Sequence, residues 1–192
     1  MSDAGIDQEM YDAMGGSDDA FESAGSRTGP WPGGEEGGES KHVFLGFLVE
    51  KAPFTTGSGN DAKELPGFSV QGLYHSITGH AQPTQWKGAV SFFPKNMDEV
   101  LPTLPQRKGR GNQAGVRAEL GRIKNAAALL IGEAPKKLSE AIAQANTVAE
   151  QSRVGVLLNI SVDKKHGDDG VTRTYRREYV NSVFDASGEA TE

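Results

Sequence analysis

The sequence predicts a mainly β fold: a small barrel of five strands, with a two-helix insert between strands 3 and 4 and a disordered acidic N-terminal tail. Three observations predict it. Strand-length stretches, an apolar run at 42–50 and mixed or alternating segments at 67–79, 86–93, 154–164 and 171–183, are spaced along the chain. Helical spacing of apolar residues occupies the stretch between the third and fourth runs. Charge is partitioned along the chain. Residues 1–40 hold 10 acidic residues and one base, Arg27, whereas residues 41–182 hold 19 Lys/Arg against 13 Asp/Glu.

Residues 1–40 are rich in Gly, Ser, Asp and Glu, and GPWPGGEEGGES at their end opposes regular structure. Ile6, Met10 and Met14 fall at helical spacing beside Tyr11, so this tail, or Phe21 or Trp31 within it, has the means to fold on a partner. Order is expected from Lys41. HVFLGFLVE (42–50) is the first strand, and TTGSGND a turn-rich loop. GFSVQGLYHSITG (67–79) is the second, with Gly72 a candidate bulge, and WKGAVSFF (86–93) the third, stopped by Pro94. Phe44, Phe47, Phe92 and Phe93 are assigned to the core. PTLPQRKGRGNQAG (102–115) follows as a basic loop.

Val116, Leu120, Ile123, Ala127 and Leu130 mark a helix that Gly132 stops. A second begins near Pro135, its apolar face Leu138, Ala141, Ile142, Ala145, Val148 and Ala149. Alternation returns with Val154, Val156, Leu158, Ile160 and Val162, then the turn HGDDG (166–170) and a last strand. Five strands with helix between the third and fourth is the connectivity of the OB-fold, a Greek-key barrel that commonly binds oligonucleotides. An open five-stranded sheet carrying a helical pair would leave the same trace. The domains are thus a disordered tail (1–40), an OB-like nucleic-acid-binding domain (41–184) and a short acidic C-terminal tail (185–192).

The last strand carries the most suggestive pattern. Its alternation puts Arg173, Tyr175, Arg177 and Tyr179 on one face and turns Arg176 away from it, so Arg176 should matter least of the three arginines. Guanidinium groups suit phosphates, and tyrosine rings suit stacked bases. Aromatic and Arg residues also pair across solvated strands for stability alone. Further cations come from Lys164 and Lys165 on the neighbouring strand and from Arg107, Lys108 and Arg110 in the basic loop. Trp86 is a third candidate stacking residue, with packing at the core rim the competing assignment.

Chemistry of other kinds finds little footing. With no cysteine there is no thiol nucleophile, disulfide or cysteine metal site, which fits a reducing, cytoplasmic location. The four histidines are scattered, Asp168-Asp169-Gly170 suits a turn better than a calcium loop, and KGRGNQAG lacks the Lys-Ser/Thr ending of a P-loop. No catalytic residue, metal site or cofactor is therefore assigned. No stretch approaches the ~18 apolar residues of a membrane span, and MSDAGIDQEM lacks the basic-then-apolar pattern of a signal sequence, so a soluble, cytoplasmic protein is expected.

VFLGFLVEKAPFTTGSG, the strand ending SFFPK, the helical insert and VGVLLNISVDKK with RTYRREYVNSVF together resemble the phage-type single-stranded DNA-binding proteins with an OB-like core, over roughly residues 42–184. In such proteins the final strand pair often ends much like Tyr179-Val180-Asn181. The resemblance implies a non-enzymatic, sequence-independent coat for single-stranded DNA in phage replication or recombination, in the host cytoplasm. It also implies an acidic tail that recruits replication or recombination proteins, and it leaves room for a homo-oligomer. This sequence departs from the pattern in its long insert and in placing the longer acidic segment at the N-terminus. The alternative is a phage structural or assembly protein that binds no nucleic acid.

Overall fold

The computed structural model describes residues 7–25, 35–77, 85–167 and 169–189. Helices α1 (Gln8–Met14) and α2 (Asp18–Ser23) precede a long strand β1 (Glu35–Lys51). Then come a small hairpin, β2 (Phe54–Thr56) and β3 (Lys63–Leu65), and the strands β4 (Gly67–Ser76), β5 (Gln85–Lys87) and β6 (Ser91–Pro94). A short helix α3 (Met97–Val100) leads into α4 (Gln113–Ile131) and α5 (Leu138–Gln151), and β7 (Val154–His166) and β8 (Thr172–Asp185) close the chain. Among the described residues no helix is long and apolar enough to cross a membrane.

One antiparallel sheet organises the molecule, in the order β5–β4–β1–β7–β8, with β6 also pairing β4. Sheet alternation sends Phe44, Phe68, Val70, Tyr74, Val156, Leu158 and Val180 to one face, where α4 and α5 cover them. The helices contribute Leu120, Ile123, Ala127, Leu138 and Ile142, each at most 2% exposed. The rings of Phe44 and Phe47 meet edge-on at 5.1 Å between centroids. The caps of α4 follow from its sequence. The Asn112 side chain accepts from the Gly115 N–H, and Gly132 adopts a left-handed φ of 85° at the C-terminus.

The bulge lies one strand away from where Gly72 suggests it. The β1–β4 register slips between Phe44 and Gly46, leaving Leu45 turned outward at 44% exposure. Gly46 takes φ 130°, a conformation that side-chain-bearing residues rarely adopt. Asn146 on α5 holds the kink. It accepts from the Phe47 N–H at 2.6 Å and donates to the Phe47 carbonyl at 3.1 Å.

Two further expectations need correction. The expected third strand, 86–93, is broken at Gly88–Val90 into β5 and β6, which pair with different stretches of β4. More importantly, the stretch 1–40 is not a disordered tail where it is described. Met14 and Phe21 are buried to 1% and 0%, and β1 begins at Glu35 rather than after Lys41. The partner for the helical spacing of Met10 and Met14 is the chain's own core. The six-residue α2 is held at both ends by groups from that core. Asp98 accepts from the Ala20 N–H at 2.7 Å, and the Lys124 ammonium donates to the carbonyls of Phe21, Glu22 and Ala24 at 2.8–3.1 Å. Ile6 and Trp31 lie outside the described residues.

The sheet does not close by a ladder. Among the described residues β8 pairs only with β7, and β5 and β6 only with β4. Side chains span the interval instead. The Glu178 carboxylate on β8 accepts from the Ala89 N–H, between β5 and β6, at 2.8 Å. Gly88 is required beside it, since a Cβ there would come within 2.3 Å of Glu178 Oε1.

Candidate nucleic-acid interface

At the mouth of this interval lies a groove of about 820 Å³. One wall is the basic loop with the start of α4, contributing Arg107, Arg110 and Asn112. The other is the β7–β8 hairpin, contributing Lys165, Tyr175, Arg176 and Arg177. Between them run Val90, just before β6, and Phe92 on it, 43% and 49% exposed, with Tyr175 at 44%. Apolar side chains of this size normally sit inside. Here they line a trough where Arg107, Arg110, Lys165, Arg176 and Arg177 outnumber the carboxylates of Glu119 and Asp163.

Each wall is built by local bonding. The basic loop is tied to the β2 hairpin by reciprocal backbone bonds of 3.0 Å between Gly57 and Arg110, and Thr56 Oγ1 donates to the Gly111 carbonyl. Gly109 and Gly111 make that approach with φ of 87° and 54°. On the opposite wall β7 and β8 pair from Val154–Asp185 to His166–Thr172, bringing Lys165 Nζ over the Tyr175 ring at 5.8 Å.

Beneath the groove a polar network joins both sheet edges to α4. Arg122 is 8% exposed. It donates to Glu178 Oε1 at 2.7 Å, to Ser91 Oγ at 2.7 Å and to Glu119 Oε2 at 3.1 Å. Ser91 donates to the same Glu119 oxygen, and Arg177 Nε donates to Glu119 Oε1 at 2.9 Å. Burial would raise the Glu119 carboxyl, but the guanidinium groups of Arg122 and Arg177 outweigh it and hold the group below its ordinary value. Burial lowers the proton affinity of Arg122, and Glu178 and Glu119 more than restore it. The Tyr74 hydroxyl is raised by burial first and by Glu178 second. Glu119 and Arg122 are thus both charged at neutral pH, and the donors and acceptors of the network are engaged with one another.

A carboxyl whose folded pKa lies below its unfolded value stabilises the fold above the unfolded value, and that contribution is lost as the pH falls through the folded one. The stability gap between the wild type and Glu119→Gln should therefore narrow as the pH drops below about 4.5, the ordinary value for this group. Urea unfolding at a series of pH values measures it. A gap that stays constant would mean the Glu119 charge contributes nothing.

The structure sorts the sequence-derived candidates. Arg107, Arg110, Lys165, Tyr175 and Arg177 come together in the groove. Tyr179 does not join them: it is 2% exposed, too deeply covered to stack a base, although strand alternation puts it on the face of Tyr175. Arg173 pairs with Asp169 at the hairpin turn, away from the groove lining. Arg176, expected to matter least, lines the groove, because β8 is an edge strand there and both its flanks reach the trough. Lys108 and Lys164 are exposed outside that lining. The Trp86 side chain lies outside the described residues; its backbone pairs with Tyr74.

Phe92 and Val90 were missed, Phe92 through its assignment to the core. The β6 sequence SFFP alternates, and with Phe93 at 0% exposure its neighbour must face outward. Arg122 and Glu119 were missed as well, although both flank the apolar stripe of α4. No family model matches the chain, and neither the curated proteins nor the solved structures compared with it yield a match.

Proposed function

We propose that this protein binds single-stranded nucleic acid, independently of sequence and without catalysis, along the groove between the basic loop and the β7–β8 hairpin. The observation that carries this reading is the composition of that groove: exposed Phe92, Val90 and Tyr175 between walls bearing Arg107, Arg110, Lys165 and Arg176. Unpaired bases offer flat apolar faces and a charged backbone at once, and a trough of this kind complements both. A duplex keeps its bases stacked inside and presents phosphate alone to such walls.

On this reading the sheet is an incomplete OB-like barrel, its last join made by the Glu178–Ala89 bond and the Arg122 network instead of a ladder. Tyr175 and Phe92 stack bases, and the cations hold phosphates. The resemblance to phage single-stranded DNA-binding proteins favours DNA as ligand and phage replication or recombination as setting, in the host cytoplasm.

The test is fluorescence anisotropy of a labelled oligo-dT titrated with protein across a salt series. Each phosphate neutralised on a single strand steepens the log–log salt dependence by about 0.7. The cations named above predict a slope of about −2 to −3. Absence of binding at low salt would leave the alternative, a phage structural or assembly protein.

A further inference from the structure

Resting on the groove reading, we propose that Glu119 is an internal counterion that occupies, on Arg177, the place a nucleic-acid phosphate would take, and so limits how tightly the groove holds its ligand. Glu119 lines the trough beside Arg177, with its side chain 17% exposed. Its Oε1 accepts from Arg177 Nε at 2.9 Å, while Oε2 is engaged by Arg122 and Ser91. Arg177 is thus the groove cation already matched by a carboxylate set rigidly into the wall. That carboxylate also repels any phosphate that approaches Arg177.

The anchoring matters. A surface carboxylate would swing aside when a phosphate arrived, but Glu119 is fixed by a buried guanidinium and a hydroxyl. It cannot leave without giving up the bonds from Arg122 Nε and the Ser91 hydroxyl. Arg110, Lys165 and Arg176 form no ion pair with a carboxylate among the described residues, so Arg177 stands apart from them.

Oligo-dT anisotropy across about 50 to 200 mM salt tests this on wild type, Glu119→Gln, Arg177→Gln and the double variant. Glu119→Gln should bind tighter, with a log–log slope steeper by about 0.7, an extra ~2.6-fold loss over that range. Arg177→Gln should leave the wild-type slope within experimental error, yet abolish the gain in the Glu119→Gln background. Should Glu119→Gln prove unfolded by circular dichroism, Arg177→Gln alone decides. A wild-type slope shallower by about 0.7 on that substitution shows Arg177 already on a phosphate and overturns the proposal. So does weaker binding by folded Glu119→Gln, which would make the carboxylate an orienting group. Failure of the wild type to bind at all is a different result, and it removes the groove reading itself.

Discussion

Replacing Phe92 and Tyr175 together by alanine is expected to weaken binding of oligo-dT by about 30- to 150-fold with little change in melting temperature. Base–aromatic stacking is worth about 1–3 kcal/mol per base by alanine substitution. At the low end of that range, two stacks amount to about 2–3 kcal/mol, and each 1.4 kcal/mol is tenfold in affinity. Both rings stand half in solvent, at 49% and 44% exposure, so truncation creates no cavity in the core. Their loss removes no phosphate contact, and the salt dependence should stay as in the wild type. Tyr179→Ala is the informative contrast. That ring is 2% exposed, and its loss should lower the melting temperature while the folded protein keeps its affinity. A loss below about threefold in the Phe92/Tyr175 double variant, measured by the same anisotropy titration, would rule out base stacking as the source of affinity.

The second large effect concerns the fold. Arg122→Met should destabilise the protein by about 3–5 kcal/mol, because it leaves the 1%-exposed Glu178 carboxylate without its cation. For a chain of this size that is a fall of roughly 6–20 °C in melting temperature, read by circular dichroism. Removing the stranded charge as well, in Arg122→Met with Glu178→Gln, should recover a large part of the loss. The glutamine still offers an oxygen to the Ala89 N–H. If Arg122→Met melted within a degree or two of the wild type, the network would be an ornament on a sheet held by other means.

The parts of this architecture visible in the sequence were those that repeat with a period. The alternation of Val154, Val156 and Leu158 gave β7, and the stripe Val116, Leu120, Ile123, Ala127 and Leu130 gave the buried face of α4. Depth has no period. Tyr175 and Tyr179 share a face by alternation, but one lies by the hairpin end in the open trough and the other within the packed part of β8. Isolated short helices are too weak to announce themselves. The helix at Asp18–Ser23 was obscured by the surrounding glycine and acid, and it is held by Asp98 and Lys124, both far along the chain. The one at Gln8–Met14 showed only its spacing, and its partner is the core that buries Met10 and Met14. The groove's cations were legible as two separate clusters. What brought them together is the Gly57–Arg110 pairing on one side and the β7–β8 register on the other, both set by tertiary contact. Phe92 was legible in principle, since one Phe of a consecutive pair on a strand must point away from the core.

The join between Ala89 and Glu178 also bears on what the open edges of the sheet can pair with. A sheet that stops short of closure ends in strands with unpaired backbone, and such edges recruit other chains into continuous β structure. Here the two terminal edges are set toward each other, and Arg122 braces the gap from the core side. Beyond the join, β8 carries the exposed Arg176, which forms no ion pair with a carboxylate among the described residues, so a second chain laid along that edge would meet an unneutralised charge. Arg176, a groove residue, thereby also sets a charge on a long edge strand, where charge opposes pairing with another chain.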